Sequence, residues 1–598
     1  MIFGVIFLYS LGVRKSIPIF ILILISLFIR IILIPHPGFE ADMAYWKGWG
    51  LAVVDKGILW LVSSTNYNYP PAFAYILYVV NKIYAAITSP YSMSYWTNTN
   101  LLYLFLIKII TIAADFANAL LIYKIAKKLS SPLGVFLALF YLLTPASFFD
   151  GAFWGQVDQL GLLFFLLSTY LLLIERLEIA TIIFTLSFLI KFQNLMFIPI
   201  YFLYIFRLKG IPGLARNCAY SLFTFLVVST PFWLNNQMEF LLRLMVVNAD
   251  WFPHFSLNAF NIWWILSGLK GMQVTDRNLM IGITNAKSLG MLFFVGAYAI
   301  ASLMIFFSKR ESLFKRYLIA STLIVFAFFH LLTESHERYQ FHILGLLPLL
   351  IIFDNVKHRK RNFVLLFLVS LFLFFNLYVS FYFNYPKTIY WPFSSELAVT
   401  ASLIISIFQV GLFIVFFAWF IFKYIRQYLL FVMLIVGLLV VVFIGQNANY
   451  LLRRPIALSS LIPLSAAQDY LSPVTNMTVD SSQGARRWNR LSNNYYFYEK
   501  GIGSHADSNI YYHLNGKFST LVTDYGIDTE GDVNAKVVFS VLGDDRELFK
   551  SKVMGRFDIP KSARVDVKGV RVMTLRISRG QPSIFGAHAD WLEPMLMR

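Results

Sequence analysis

The sequence predicts a polytopic α-helical membrane domain of about thirteen spans, followed by a C-terminal β-sandwich. Three observations carry that expectation. First, 58% of the 598 residues are hydrophobic, 18% aromatic and only 14% charged, against about 25% charged in a soluble globular protein. Second, the deficit is confined to roughly the first three quarters of the chain, and from about Gln446 the charge and turn content become those of a soluble domain. Third, the basic residues of the apolar part fall in short clusters between apolar runs.

A single crossing takes about 17–25 apolar residues, fewer where polar motifs interrupt it. Runs of this kind occupy 16–34, 101–123, 131–148, 158–174, 179–192, 194–206, 217–234, 286–307, 315–333, 341–354, 362–383, 399–422 and 428–445. The clusters Arg14/Lys15, Lys124/Lys127/Lys128, Arg207/Lys209/Arg216, Lys309/Arg310/Lys315/Arg316, Lys357/Arg359/Lys360/Arg361 and Lys423/Arg426 then all fall on the cytoplasmic side. This agreement requires 35–100 to be one long external loop, although 71–88 is apolar. The loop is expected to hold interfacial or re-entrant helices, with Tyr67, Tyr69, Tyr84, Tyr91, Tyr95 and Trp96 at headgroup level. The other external regions are 149–157, 235–284, 334–340 and everything after the last span. The net charge of +19 follows from the loop clusters and gives no basic stripe for nucleic acid. Cys218 is the one cysteine, so no intrachain disulfide can form. The first apolar run is expected to enter a span rather than form a cleaved leader.

Polar residues at the outer ends of spans are where chemistry is expected in so apolar a chain. Glu40 and Asp42 form an E-x-D pair just after the first span, and two close carboxylates can divide labour between base and metal ligand. Trp154, Gln156 and Asp158 stand in the turn between two spans, where a tryptophan anchor and a helix-capping aspartate are the plain alternatives. Lys191 and Gln193 lie between short spans, where lysine needs an anion, a wet cavity or a route for snorkelling. His336, Glu337, Arg338 and Tyr339 form the densest external polar cluster, with a guanidinium fork suited to phosphate. Lys108 and Asp115, seven residues apart, share a helix face and suit a structural ion pair.

Together and in this order, E-x-D, W-G-Q-V-D, K-F-Q and H-E-R-Y resemble the motifs of the GT-C membrane glycosyltransferases, closest to the GPI-mannosyltransferase-like group. The resemblance covers about 16–445 and implies a GT-C-like fold with its active site on the non-cytoplasmic face of the plasma (inner) membrane. It implies inverting transfer of a hexose, mannose by preference, from a polyprenyl-phosphate donor to a glycan, lipid or protein. It makes Asp42 the catalytic base with Glu40 beside it, and places Lys191, Gln193, His336 and Arg338 at the donor phosphate. Trp154, Gln156, Asp158, Glu337 and Tyr339 would line the pocket. A divalent cation, Mg or Mn, on Glu40 and Asp42 is left open. Phe192 stands where the family often carries proline. A ligase, polymerase or flippase of lipid-linked glycans is the rival reading; a flippase would show two related halves, which the sequence lacks.

After a linker at 446–493, short alternating segments such as Lys536–Val541 and Arg571–Ile577, separated by turn signals at Asn515-Gly516, Gly543-Asp544-Asp545 and Lys568-Gly569, predict a β-sandwich over 494–598. G-I-G-S-H-A at 501–506 and H-A-D-W at 588–591 resemble the NPCBM carbohydrate-binding modules. That resemblance implies sugar-binding roles for His505, Asp590 and Trp591, with acceptor docking or stabilisation as the alternative.

Overall fold

The computed structural model describes residues 16–247, 252–276, 285–353, 356–392, 394–426, scattered positions between 433 and 445, 455–479, 491–493, 496–580 and 586–598. The chain divides into two compact units. One comprises Met1–Asp250, Asn258–Ile265 and Phe294–Met433; the other comprises Trp251–Leu257, Leu266–Phe293 and Leu434–Arg598.

The first unit is helical. Its main helices are α1 (Ser16–Leu33), α2 (Glu40–Ser64), α3 (Pro71–Ile87), α4 (Leu101–Lys128), α5 (Gly134–Leu143), α6 (Asp158–Leu173), α7 (Leu177–Ile190), α8 (Ile198–Val228), α9 (Ala286–Phe306, which begins in the second unit), α10 (Leu313–Leu331), α11 (Ile343–Ile351), α12 (Val356–Asn384) and α13 (Ser395–Phe420). Among the described residues, six helical stretches are long and apolar enough to cross a bilayer, those containing α4, α8, α9, α10, α12 and α13. A seventh is α5 joined to Pro145–Trp154 through a bend of 52°. The bend follows from Pro145, which forces Thr144 into an extended conformation (φ −68°, ψ 124°).

The expected count of about thirteen is not reached by that length criterion. Several expected spans are short helices, and 341–354 yields only the nine-residue α11. The span expected at 428–445 lies largely outside the described residues. α8 is a different case. Tyr201 and Asn217 would stand about 24 Å apart along a straight helix, yet the Thr181 hydroxyl lies 3.3 Å from the Tyr201 hydroxyl and 2.7 Å from Asn217 Oδ1. The chain therefore folds back between them, at Gly210, whose φ of 66° and ψ of −164° break the helix. Both expected arms, 194–206 and 217–234, are present on either side of this basic turn.

The 35–100 region forms α2, α3 and the short helix Met93–Trp96. Its aromatic residues do not all sit at a surface: Tyr67, Tyr84 and Tyr95 are buried in a core shared with Trp46, Phe73 and Tyr103, while Tyr91 and Trp96 are exposed. The region is packed into a core with α4 and the start of α6 rather than laid on a surface, which periodicity alone did not reveal.

Lys108 and Asp115 do not pair. Lys108 Nζ donates to the carbonyls of Ile34 (3.2 Å), His36 (2.6 Å) and Phe153 (3.1 Å), and so closes the chain after α1. Asp115 instead meets the buried Arg30 of α1, Nε to Oδ2 2.9 Å. Arg30 also donates to Ser26 Oγ, the Leu142 carbonyl and Ser147 Oγ, and Tyr141 donates to Asp115 Oδ1 at 2.8 Å. The guanidinium thus fastens α1, α4, α5 and the turn after it. Its partner lies in a different helix because a seven-residue spacing sets a face but not what faces it.

The second unit holds the β-sandwich, of strands β1 (Ile456–Ala457), β2 (Ser465–Gln468), β3 (Val474–Thr475), β4 (Leu491–Asn493), β5 (Tyr496–Tyr498), β6 (Gly501–His505), β7 (Ser508–His513), β8 (Thr520–Ile527), β9 (Lys536–Gly543), β10 (Arg546–Lys550), β11 (Met554–Gly555), β12 (Lys561–Asp566), β13 (Val572–Arg579) and β14 (His588–Met597). One sheet runs β12-β8-β14-β6-β3 with β1 on β14; the other runs β10-β9-β13-β7-β2 with β11 on β9. All pairings are antiparallel. The Gly543-Asp544-Asp545 signal is a two-residue hairpin, with φ of 46° and 67° at the aspartates as a type I′ turn requires. The expected linker is corrected in part: β1, β2 and β3 belong to the sandwich. At two to four residues they are too short for alternation to show in the sequence.

Replacing Arg30 by Met should strand the Asp115 carboxylate and cost about 3–5 kcal/mol. The R30M/D115L double substitution should lose much less. Thermal unfolding of the three purified proteins in one detergent checks this, and equal losses for single and double variants would contradict it.

Candidate active site

The four separated motifs meet at the N-terminal end of α6 and just past the C-terminal ends of α7 and α10. Asp158 opens α6, where an acid in the first turn suits the helix dipole. Its carboxylate is fully buried and gathers the site: Lys191 Nζ lies 3.1 Å away, Gln193 Nε2 2.8 Å and Arg338 Nε 3.5 Å. Lys191 caps the C-terminal end of α7 in an extended conformation (φ −140°, ψ 113°), so the geometry a following proline would favour is reached with Phe192. Lys191 Nζ also donates to Gln156 Oε1 at 3.4 Å and sits 5.4 Å from the centre of the Tyr69 ring.

Gln156 carries the network outward, since its amide nitrogen donates to Asp42 Oδ2. Asp42 lies in the first turn of α2 and stays half-buried. The turn before it is held firmly. The Phe39 N–H donates to the Trp154 carbonyl at 3.0 Å, and the Ala41 N–H to the Tyr385 hydroxyl at 2.9 Å. Gly38 has φ +74°, and a Cβ there would stand 2.4 Å from the Trp154 carbonyl oxygen. Burial raises the Asp42 pKa, Arg338 opposes this, and the neighbouring Glu337 adds to it. Because ionised Asp42 works against folding as pH rises, an asparagine there does not remove stability at neutral pH.

On the other side Arg338 donates to Glu337 Oε1 at 2.5 Å, and His336 Nδ1 lies 3.8 Å from Glu337 Oε2. Burial pushes the Glu337 carboxyl up, but Arg338, with help from His336, outweighs it and holds the pKa down to about 2. His336 is shifted down by burial and by Arg338. Tyr339 packs its ring on His336 at 5.0 Å and on Phe328.

Two expected participants stand apart. Among the described residues no side-chain hydrogen bond or ion pair engages Glu40, and no group of three or more His, Cys, Asp or Glu gathers to hold a metal. Trp154 is buried against Phe39 (5.2 Å, near-parallel) and Phe381, so it shapes the Gly38 turn rather than the pocket. Sequence reasoning passed over Tyr69 and His342, whose Nδ1 lies 3.4 Å from Gln193 Nε2. A tyrosine within an aromatic loop and a histidine three residues past H-E-R-Y carry no spacing signal of their own.

In the β-sandwich, Trp591 is fully buried against Phe539 and Tyr525 and offers no ring to a ligand. Its strand position alternates inward, which the H-A-D-W match did not convey. Asp590 is buried beside Asp528; burial first, and each other's charge next, raise the pKa of Asp590 well above that of a free aspartate. His505 lies close to His588 and Tyr470, ring centres 5.1 and 5.3 Å away.

Residues 454–597 match the NPCBM/NEW2 domain family. A stretch of 94 residues is 32% identical to a "Putative endo-alpha-N-acetylgalactosaminidase" of Renibacterium salmoninarum; it makes up 16% of this chain and 6% of that protein. The CBM51 of a Clostridium perfringens GH95 protein, solved in complex with methyl-galactose, is 27% identical over 24% of this chain and 99% of its own, with a TM-score of 0.22. Arabinosyltransferase EmbB from Mycobacterium smegmatis aligns over 93% of this chain and 64% of its own, at 12% identity and a TM-score of 0.23.

The sign of the Glu337 effect is fixed by its shift. Its contribution is present above pH 4.5 and is lost as pH falls towards about 2. The E337Q variant should be less stable than wild type at neutral pH by on the order of 3 kcal/mol, with the gap closing across that acid window. Unfolding curves taken at several pH values check it, and a gap independent of pH would contradict it.

Proposed function

We propose that this chain is a membrane-embedded glycosyltransferase of the GT-C type. On this reading it moves a hexose, mannose in the first instance, from a polyprenyl-phosphate carrier to a glycan, lipid or protein acceptor on the extracytoplasmic face. The observation that carries the reading is the convergence of E-x-D, W-G-Q-V-D, K-F-Q and H-E-R-Y. Lys191 and Gln193 donate to the buried Asp158 carboxylate, Arg338 lies 3.5 Å from it, and Asp42 is tied to the cluster through Gln156. The apolar helices and an NPCBM-type domain fit an enzyme that handles glycans at a bilayer.

The chemistry follows from the roles the geometry allows. Glycosyl transfer from a lipid phosphate needs a base for the acceptor hydroxyl and positive charge for the phosphate released. Asp42 is the half-open carboxylate of the cluster, and its raised pKa makes it a stronger proton acceptor than a solvated aspartate. Gln156 holds one of its oxygens and leaves the other for the acceptor O–H. Arg338 spends one N–H on Glu337 and turns its Nε edge to Asp158, which leaves guanidinium donors for phosphate oxygens. Lys191 gives two protons to Asp158 and Gln156 and keeps a third. Asp158 and Glu337 hold these cations in place, so they belong to positioning rather than to bond making.

Purified full-length protein supplied with polyprenyl-phosphate-mannose and a panel of acceptors should release polyprenyl phosphate. The D42N variant should do so roughly 10²- to 10⁴-fold more slowly while unfolding at the wild-type temperature. A folded protein that turns over no polyprenyl-phosphate sugar would sink the assignment and favour a ligase or flippase of lipid-linked glycans.

Because the base must be ionised, turnover should fall as pH drops through the Asp42 pKa, which lies above the usual 3.8. A rate profile flat down to pH 4 would remove Asp42 from the role of base.

A further inference from the structure

A second feature lies at the opposite end of α10 from His336 and Arg338. α10 has 19 residues, about 28 Å at 1.5 Å per residue, close to the ~30 Å of a bilayer's hydrocarbon core. Lys315 lies in its first turn. There a groove of about 280 Å³ opens between α10, α11, α12 and α13.

The groove has two distinct parts. Its three cations all stand at helix ends: Lys315 at the start of α10, Arg361 in the early turns of α12, and Lys423 just past α13. One to three turns further in, the walls are apolar, with Leu347, Leu412 and Phe416 among them. Lys423 rests on the Trp419 ring, 4.8 Å from its centre, an arrangement that steers an ammonium without neutralising it. On the outer side Val364 and Val415 are 52% and 64% exposed, so the groove opens sideways, where a bilayer would lie.

We propose that this groove binds an anionic phospholipid, with the phosphodiester headgroup among Lys315, Arg361 and Lys423 and one acyl chain along the Leu347–Phe416 wall. The charge rules out a zwitterionic headgroup as the preferred occupant, since each cation near an anionic headgroup adds about 1 kcal/mol of attraction. The apolar walls and lateral opening distinguish a lipid from a free anion. The proposal rests on the bilayer reading above and is independent of glycosyl transfer.

The test is lipid retention by the full-length protein, delipidated in neutral detergent and titrated with phosphatidylglycerol or phosphatidylcholine of identical chains, with bound lipid counted by native mass spectrometry. Wild type should retain phosphatidylglycerol about tenfold better than phosphatidylcholine, and K315Q/R361Q/K423Q should lose that preference. The V415W variant, which keeps all three cations and obstructs the lateral opening, should also lose retention. Equal retention of the two lipids by wild type, or an unchanged preference in the triple variant, would overturn the proposal. Displacement by millimolar inorganic phosphate with V415W unaffected would make the site one for free anions and overturn the lipid assignment. Turnover is not read, so a failure here is separate from any failure of the transferase reading.

Discussion

A carboxylate buried away from solvent at the end of an apolar bundle must be met by positive charge and hydrogen bonds, because the isolated ion costs several kcal/mol. Asp158 is that carboxylate, and one end of the helical unit is arranged around it. Lys191 is brought by the end of α7, Gln193 by the turn after it, and Arg338 by the loop between α10 and α11. Removing the carboxylate would leave two buried cations facing each other, with Glu337 paired to Arg338. The same rule organises the opposite partners of α1: Arg30 is tolerable because Asp115, two hydroxyls and a carbonyl use its donors.

Asp42 differs from Asp158 in the way that matters for reactivity. Asp158 is saturated by its partners and fully buried, which makes it an anchor. Asp42 is held through one oxygen and remains half-open. Its placement depends on features with no charge at all: the left-handed Gly38, the Trp154 carbonyl that receives the Phe39 N–H, and the aromatic packing of Phe39 on Trp154. Trp154 therefore contributes to the site through backbone and packing, although it touches none of the reactive groups.

Within the helical unit, the two ends of α10 have different characters. One end carries compensated charge in a tight network, where cations are held by carboxylates. The other carries three cations above apolar walls. In the β-sandwich, burial likewise decides roles: Trp591 is core, while His505, His588 and Tyr470 cluster together.

The sequence by itself determined the class of architecture. Length of apolar runs, basic clustering and the change in composition near Gln446 separate a helical apolar region from a β-domain. These are local properties set by partitioning between water and hydrocarbon. The motif residues Asp42, Gln156, Asp158, Lys191, Gln193 and Arg338 were also legible, because charged and amide groups at the ends of apolar runs are costly and stand out. Only the tertiary structure decided who pairs with whom. Arg30, not Lys108, takes Asp115; Glu40 stays outside the cluster while its near neighbour Asp42 enters it; three strands of two to four residues join the sandwich from the expected linker. The reason is the same in each case. Pairing partners and short edge strands are fixed by long-range packing, and sequence spacing specifies which way a side chain faces but not what it meets there.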